Sequence, residues 1–245
     1  MASRSALFGK LVHCVLGVTL ALMLLFVGMT LAYRFMTPIS TLMLARIVQG
    51  EELDRRFVPL PRISARLIAA VIASEDARFC IHDGVDWDAL SEVIDTAKAA
   101  TPSRGASTIT MQTAKNLFLW PARSVIRKGV EIPLALLIDL AWPKPRVLEV
   151  YLNIAEWGEG IFGAEAAAQH YFHKSAEALD SREAALLATA LPNPRHRNPA
   201  RPSRRHLALA ATIMARARDA HRLTECVEDR EGKGRSLEIG SRTPF

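Results

Sequence analysis

The chain has 245 residues, a formal net charge of +6 and a hydrophobic fraction of 50%. This composition excludes a disordered protein and suits one folded domain with an appended segment. A basic chain favours anionic partners. Because we find no nucleic-acid-binding module, we expect membrane lipids or phosphorylated lipids as partners and no nucleic acid.

Residues 11–33 form an apolar stretch without Asp, Glu, Lys or Arg. About twenty such residues span a hydrocarbon core, so we predict a transmembrane helix here. A cleaved signal peptide is disfavoured because its apolar region is shorter and ends in a small-x-small site. Arg4 and Lys10 precede the stretch and Arg34 follows it, which gives a slight preference for a cytoplasmic N-terminus. The predicted division is a cytoplasmic N-terminus (1–10), the membrane helix (11–33), a folded domain (34–226) and a disordered tail (227–245).

Residues 38–48 are still apolar, and two interpretations remain open for them: a segment on the membrane surface, or part of the core. The three cysteines allow one pair in the folded part, Cys80 with Cys226. The sequence does not decide whether these two pair, and free thiols are the default expectation.

Residues 62–74 have helical apolar periodicity, and Glu75 and Asp76 continue the apolar rows. A carboxylate at a helix C-terminus and beside apolar side chains has a raised pKa, which suits a proton acceptor. Glu75 is therefore the candidate general base. The alternative is that both carboxylates form surface ion pairs with Arg78 or Arg66.

The loop after this helix carries Phe79, His82, Asp83 and Asp86. The imidazole and carboxylates could hold a cation, but their spacing is not that of a metal site. We expect His82 to form hydrogen bonds or to stack, and we predict no metal ion here.

The stretch from residue 104 to residue 131 is the strongest candidate for substrate binding. Ser107 is placed as the N-cap of a helix that carries Thr108, Gln112, Lys115 and Asn116 on a polar face. Basic residues follow this helix: Arg123, Arg127 and Lys128. Amide donors beside fixed positive charge favour an anion such as diphosphate. The alternative is a solvated amphipathic helix followed by a basic turn.

Three later segments complete the pattern. Pro133 predicts that Glu131 lies at a helix start or kink. Residues 144–155 fit a helix or an alternating strand. The glycines of residues 158–163 match a dinucleotide-binding pattern, but the helical context favours a tight turn between two helices. Ser181 is the expected N-cap of the next helix, and residues 206–220 predict another.

Five segments resemble, in order and spacing, the motif regions of the peptidoglycan glycosyltransferase family. They are EDARFCIHDGVD, GASTITMQTAKN, RKGVE, VYLNIAEWGEGIFGAEAAAQHYFHK and EAALLATALPNP. The match covers residues 62–202, and RKGVE with NLFLWPARS is most similar to the monofunctional biosynthetic transglycosylases. The resemblance implies a mostly α fold: a lysozyme-like glycosyltransferase domain with a small membrane-proximal jaw lobe, preceded by one N-terminal transmembrane helix.

The resemblance also implies an activity and a location. The family polymerises lipid II into glycan strands, forming β-1,4 linkages with inversion and releasing undecaprenyl diphosphate. Lipid II, the lipid-linked growing chain and membrane lipids are the implied partners, with cell-wall synthesis or division proteins as further candidates. The implied location is the inner membrane, with the catalytic domain in the periplasm. No cofactor is required, and a divalent cation such as Mg²⁺ or Mn²⁺ is left open.

The resemblance assigns roles to individual residues. Glu75 matches the general base, and Lys115 and Arg123 match residues that stabilise the leaving diphosphate. Glu131 matches a second catalytic glutamate without a fixed role. The remaining substrate-binding matches are Asp76, Phe79, His82, Ser107, Thr108, Gln112, Asn116, Arg127 and Lys128. The chain departs from the family pattern at Ala106, Met111 and Pro133.

Two rival functions remain at this stage. A lysozyme-like hydrolase or lytic transglycosylase would use a glutamate in a helical domain, but it would have no use for the basic residues Lys115 and Arg123. A membrane-anchored scaffold without catalysis would not need Glu75 and Glu131.

Overall fold

The computed structural model describes residues 2–98, 105–120, 124–219 and 221–228. The chain divides into two compact units, Met1–Thr37 and Pro38–Phe245. The first unit contains helix α1 (Ala2–Tyr33). Its segment Phe8–Tyr33 has a mean hydropathy of 2.5 and is long and apolar enough to cross a membrane.

The described part of the second unit consists mostly of helices, which confirms the predicted mostly α fold. The longer ones are α2 (Thr41–Val48), α3 (Ala65–Glu75), α4 (Trp87–Lys98), α5 (Ile109–Phe118), α6 (Val125–Ala141), α7 (Lys144–Ile154), α8 (Ala164–Phe172), α9 (Ser181–Ala190), α10 (Arg204–Arg216) and α11 (221–228). Three short strands form one sheet in the order β1 (Asp54–Arg55), β3 (Ile161–Phe162), β2 (Glu156–Gly158).

Helix α3 lies at the centre of the core and packs against α9 and α10. Its side chains Leu67, Val71 and Ile72 are fully buried, as their helical spacing predicts. The N-cap of α9 is Asp180, which forms a capping box with Glu183. The prediction of Ser181 as the N-cap was wrong by one residue, because the carboxylate one position earlier accepts two backbone N–H groups.

Helix α7 settles the ambiguity between helix and strand at residues 144–155. The segment is helical, and Leu148, Tyr151 and Leu152 are buried on the predicted face. It packs against α5, which packs in turn against α6. Helix α5 therefore lies in contact with both α6 and α7.

The glycines after α7 form a β-hairpin between α7 and α8. Strands β2 and β3 are antiparallel, and β1 pairs with β3 in parallel. Gly163 has a φ of +91° and precedes α8 directly, and a Cβ there would lie 3.1 Å from the carbonyl oxygen of Asn153. The glycines thus form a turn between two helices, as predicted, and this turn includes two short strands.

Helix α6 runs without interruption through Pro133. Of the two predicted positions for Glu131, the helix start was wrong, since Glu131 lies inside this helix; a kink at this point stays a prediction. The carbonyl that lacks a donor because of Pro133 is that of Gly129. Both residues are exposed, so water can solvate this carbonyl.

The exposure of the side chains of α2 bears on the two interpretations of residues 38–48, a membrane-surface segment and a part of the core. Met43 is buried, whereas Leu44, Ile47 and Val48 are 50%, 54% and 87% exposed. The hydroxyl of Thr41 donates to carbonyl oxygens near the end of α5. One side of the segment therefore contributes to the core, and the other presents an apolar surface.

Cys80 and Cys226 form a disulfide, so the expectation of free thiols was wrong. The bond connects the loop after α3 to α11 across 146 positions of sequence, a proximity that arises only in the fold. Of the predicted disordered tail, Val227 and Glu228 belong to α11, and residues 229–245 lie outside the described residues.

Candidate active site

Glu75 is the last residue of α3, where the apolar rows of that helix end. Its Oε1 accepts a hydrogen bond of 3.2 Å from the Ser74 hydroxyl, and its Oε2 accepts one of 3.1 Å from the Gln112 side-chain amide. Arg78, considered as a surface partner, instead contacts Asp86 and Asp88. The carboxylate of Glu75 is therefore held by neutral donors and has no direct ion pair in the described structure.

Asp76 joins the end of α3 to the start of α5. Its carboxylate lies 2.9 and 3.0 Å from Nε2 of His82, and Oδ2 also accepts the backbone N–H of Ile109 at 2.9 Å. All three groups are buried. Because Ile109 opens α5, this bridge fixes Gln112, one helical turn further on, relative to Glu75.

Burial raises the pKa of Glu75 above the ordinary value of 4.5. Hydrogen bonds from Gln112 and Ser74 act in the opposite direction, as do the charges of Lys115 and Arg197. A carboxylate with a raised pKa is a better proton acceptor than an ordinary surface glutamate.

A cationic cluster, formed by Arg127 and Lys128, lies near the start of α6. Arg127 and Lys128 each contact a different oxygen of Glu131 at 2.9 Å. Lys128 also donates to the hydroxyl of Ser107 at 2.9 Å. Glu131 is only 2% exposed, and its two ion pairs orient both cations. Arg123, the remaining predicted cation, lies outside the described residues.

Lys115 connects the carboxylate to the cationic cluster. Burial is the main reason that its pKa is lowered from 10.5, and the charges of Arg127 and Lys128 lower it further. The charges of Glu131 and Glu75 act in the opposite direction. An anion bound beside Lys115 would neutralise this concentration of positive charge.

Other predicted substrate-binding residues have structural contacts in this arrangement. Thr108, not Ser107, is the N-cap of α5: its hydroxyl accepts from the N–H of Met111 and donates to the carbonyl of Gly84. Phe79 is fully buried, and the ammonium of Lys144 lies 4.9 Å from its ring centroid.

The loop that carries His82 lies close to α6. Gly84 has a φ of +75°, and a Cβ there would lie 3.0 Å from the carbonyl oxygen of Ala135. Lys144 donates to the carbonyl of His82 and to Asp139. These contacts fix the loop against α6 and so help to hold the bridge between His82 and Asp76.

A cleft of about 720 Å³ opens beside Glu75 and includes Asp76, Ser107 and Thr108 in its lining. A second cavity, of about 800 Å³ and mainly apolar, is lined by residues at the other end of α3 and by residues of α11. We assign the site to the first cavity, because its lining includes Glu75 and also Ser107, whose hydroxyl accepts from Lys128 of the cationic cluster. Among the described residues, no group of three or more His, Cys, Asp or Glu side chains could hold a metal ion.

Sequence reasoning missed several residues near Glu75. Tyr151 was assigned only to an apolar face, yet its hydroxyl contacts Gln112. Arg197, whose charge acts on Glu75, lies in a loop that was interpreted only as Pro- and Arg-rich. Arg216 of α10 lines the cleft beyond the last motif. A tyrosine on an otherwise apolar helical face was the one signal available, because a buried hydroxyl requires a partner.

The geometry suits a proton transfer coupled to the departure of an anion. Glu75 can accept a proton from a hydroxyl group in the site. Lys115, whose charge interacts with that of Glu75, and the cationic cluster next to it offer positive charge. These are the requirements for a group transfer in which an alcohol displaces a phosphate-bearing leaving group.

Comparison with known proteins identifies the family. The sequence model of the transglycosylase family matches residues 41–218, and the chain belongs to this family. A biosynthetic peptidoglycan transglycosylase of Agrobacterium fabrum is 53% identical over 81% of this chain and 88% of its own length. Proteins of the same name from Rhodospirillum centenum and Brucella suis are 51% and 48% identical over 90% and 86% of this chain, and over 97% and 94% of their own lengths.

Proposed function

We propose that this protein polymerises lipid II into linear peptidoglycan strands. The observation that carries the proposal is the connection, through α5, of a carboxylate with a raised pKa to a cationic cluster. The names of the relatives, biosynthetic peptidoglycan transglycosylases, support the substrate class.

In the proposed reaction, the 4-hydroxyl of the acceptor sugar attacks the anomeric carbon of the lipid-linked donor. Glu75 takes the hydroxyl proton as the new carbon–oxygen bond forms. The bond from the anomeric carbon to the diphosphate breaks, and its electron pair leaves with undecaprenyl diphosphate. Attack from the face opposite the leaving group inverts the anomeric configuration and gives a β-1,4 linkage.

The cationic cluster acts on the leaving group. Diphosphate departs as an anion, so it needs positive charge rather than a general acid. Lys115 stabilises the charge that develops on the diphosphate. Arg123, whose role rests on the sequence resemblance, does the same. Arg127 and Lys128 support them, and Glu131 holds these two side chains in place.

A murein-cleaving enzyme is the alternative within the same fold class. A lysozyme-like hydrolase typically uses two carboxylates at the scissile bond. A lytic transglycosylase would use one glutamate, but it would have no use for the charge of Lys115. Here Asp76 is occupied by His82 and the N–H of Ile109, and Glu131 by two cations. The arrangement therefore favours synthesis over hydrolysis.

The two reactions are separated by supplying the full-length protein in detergent with labelled lipid II and, in parallel, with preformed glycan. We expect lipid II to be converted to polymer and the preformed glycan to keep its length. Shortening of the glycan without polymer formation would establish the hydrolytic alternative. If lipid II is not polymerised and the glycan is not shortened, the result would favour a scaffold without catalysis.

The pH dependence of polymerisation is expected to be bell-shaped. On the acidic side the rate falls as Glu75 is protonated, at a pH above the ordinary 4.5 because its pKa is raised. On the basic side it falls as Lys115 loses its proton, at a pH below the ordinary 10.5 because its pKa is lowered. Initial rates measured at low lipid II concentration across the pH range test this. A rate that does not fall on the acidic side would contradict the assignment of the base.

We also propose that α1 anchors the protein in the inner membrane, with its N-terminus in the cytoplasm and the second unit in the periplasm. Two features support this: a helix long enough to span the bilayer, and a disulfide in the second unit, which persists in an oxidising compartment. The exposed apolar side chains of α2 would then contact membrane lipids.

The disulfide provides a test of this topology. In intact cells treated with a thiol-alkylating reagent, Cys80 and Cys226 are expected to stay unmodified until reduction, whereas Cys14 is a free thiol. Alkylation of Cys80 without prior reduction would contradict both the disulfide and the periplasmic location.

Replacing both paired cysteines with serine is expected to lower the free energy of unfolding, by at most about 5 kcal/mol for a loop of this length.

A further inference from the structure

A line of hydrogen bonds connects a buried tyrosine to the carboxylate of Glu75. Tyr151 lies on α7 and is 1% exposed. Its hydroxyl donates to Gln112 Oε1 at 3.2 Å, and Gln112 Nε2 donates to Glu75 Oε2 at 3.1 Å. The line therefore passes through α7, α5 and α3 in turn.

The chemistry of these groups determines which group donates and which accepts in each of the two hydrogen bonds. An ionised carboxylate only accepts hydrogen bonds, so Gln112 must present its NH₂ group to Glu75. Its carbonyl oxygen then faces Tyr151 and requires a donor, which the phenol provides. Rotation of the amide by half a turn would place Gln112 Oε1 against the negative charge of Glu75. Glu75 therefore selects this orientation of the amide, and the hydroxyl of Tyr151, which donates to Oε1, holds the amide at the position from which its NH₂ group reaches Glu75.

We propose that Tyr151 is a positioning residue for the reaction: it fixes the amide of Gln112 and, through it, the carboxylate of Glu75. The inference rests on the proposed role of Glu75 as the base. Tyr151 lies behind Gln112 in the interior, so it acts through this amide and does not itself contact the substrate. Gln112 thereby becomes a positioning residue as well as a candidate for contact with the donor.

Other groups also act on Glu75 and are unchanged when Tyr151 is altered. Lys115 on α5 and Arg197 after α9 favour its ionised form, and Ser74 on α3 itself donates to Oε1. Arg216 on α10 and Asp76 beside Glu75 line the same cleft. The effect of Tyr151 is therefore expected as a displacement of the acidic limb of the pH profile and not as its disappearance.

The test compares pH–rate profiles of full-length Tyr151→Phe, Gln112→Met, the double variant and the wild type, all with lipid II in detergent. Tyr151→Phe removes the donor to Gln112 Oε1, so the amide is held at one end only, moves more and donates less to Glu75. We expect the acidic limb to move to higher pH by about one unit, the scale of a hydrogen bond to a charged group. The rates of Tyr151→Phe and wild type should converge towards the alkaline side. In the Gln112→Met background, Tyr151→Phe should cause no further displacement.

A matched control is Tyr171→Phe. Tyr171 is a tyrosine of the same unit whose hydroxyl donates to the carbonyl of Trp157 on the β-hairpin. Its substitution should leave the acidic limb in place, even if it lowers thermal stability. This control separates loss of packing from loss of orientation, since a purely structural role of Tyr151 would lower activity equally at every pH.

The outcomes distinguish this inference from the proposed function. An acidic limb that is unmoved in Tyr151→Phe, while Glu75→Gln is inactive, would overturn the positioning role and leave the base in place. Equal displacements by Tyr151→Phe in the wild-type and Gln112→Met backgrounds would also overturn it, because Tyr151 would then act independently of the amide. Wild-type activity in Glu75→Gln would remove the base assignment and the inference with it.

Discussion

Replacing Glu75 with glutamine is expected to lower the rate of lipid II polymerisation by roughly 10²-fold to 10⁴-fold, the usual contribution of a general base. Glutamine has nearly the same shape and can still form hydrogen bonds with Ser74 and Gln112. It cannot take the proton from the acceptor hydroxyl. The measurement is the initial rate of polymer formation at fixed lipid II concentration, with Glu225→Gln, a substitution at an exposed position of α11, as the control.

Thermal unfolding shows whether Glu75→Gln loses chemistry or folding. The folded-state pKa of Glu75 is above that of the unfolded chain. The stability linked to this group is therefore complete below the unfolded pKa and is lost as pH rises through the folded pKa. At neutral pH and above, Glu75→Gln should melt no lower than the wild type, and any gain in melting temperature should vanish in acid. An inactive variant that melts far below the wild type would leave its activity loss attributable to misfolding.

Replacing Lys115 with methionine is expected to lower kcat/KM for lipid II by roughly 10²-fold to 10³-fold, as for other residues that stabilise charge in a transition state. Methionine keeps much of the side-chain volume but removes the charge that lies between Glu75 and the cationic cluster. Binding of a diphosphate-bearing lipid should weaken as well. Both quantities can be measured on the same detergent-solubilised preparation.

The control for this prediction is Lys174→Met. Lys174 forms an exposed ion pair with Glu183 at the start of α9, away from the cationic cluster. Its substitution removes one positive charge from the same chain and should leave kcat/KM unchanged. Unchanged lipid affinity and unchanged rate in Lys115→Met would show that the leaving diphosphate does not depend on this ammonium.

The sequence predicted those parts of the site that depend on local periodicity. A long apolar repeat ends at Glu75, and this alone placed the carboxylate at a helix terminus against the core. The helix that carries Gln112 and Lys115 was predicted for the same reason. Its N-cap was missed by one residue because Ser107 and Thr108 are both good caps. In the fold the hydroxyl of Thr108 also donates to the carbonyl of Gly84, whereas that of Ser107 accepts from Lys128.

Contacts between distant segments could not be predicted in this way. The bridge from Asp76 to Ile109 and the disulfide from Cys80 to Cys226 join residues that only the fold brings together. Pro133 did not mark the start of the helix that carries Glu131, because a proline is tolerated inside α6 when water can solvate the carbonyl of Gly129. The hydroxyl of Tyr151 reaches its hydrogen-bond partner, Gln112, only when α5 and α7 pack together.

The most direct test of the central claim is the balance of products from lipid II. The reaction proposed for Glu75 and the cationic cluster releases one molecule of undecaprenyl diphosphate for each disaccharide added, and the new linkages are β-1,4. Quantifying the released lipid against the polymer, and determining the anomeric configuration of the polymer by NMR, measures both. The predicted result is equal molar amounts of released undecaprenyl diphosphate and added disaccharide, with β linkages in the polymer. Polymer with retained configuration, or release of undecaprenyl diphosphate without polymer, would contradict the account.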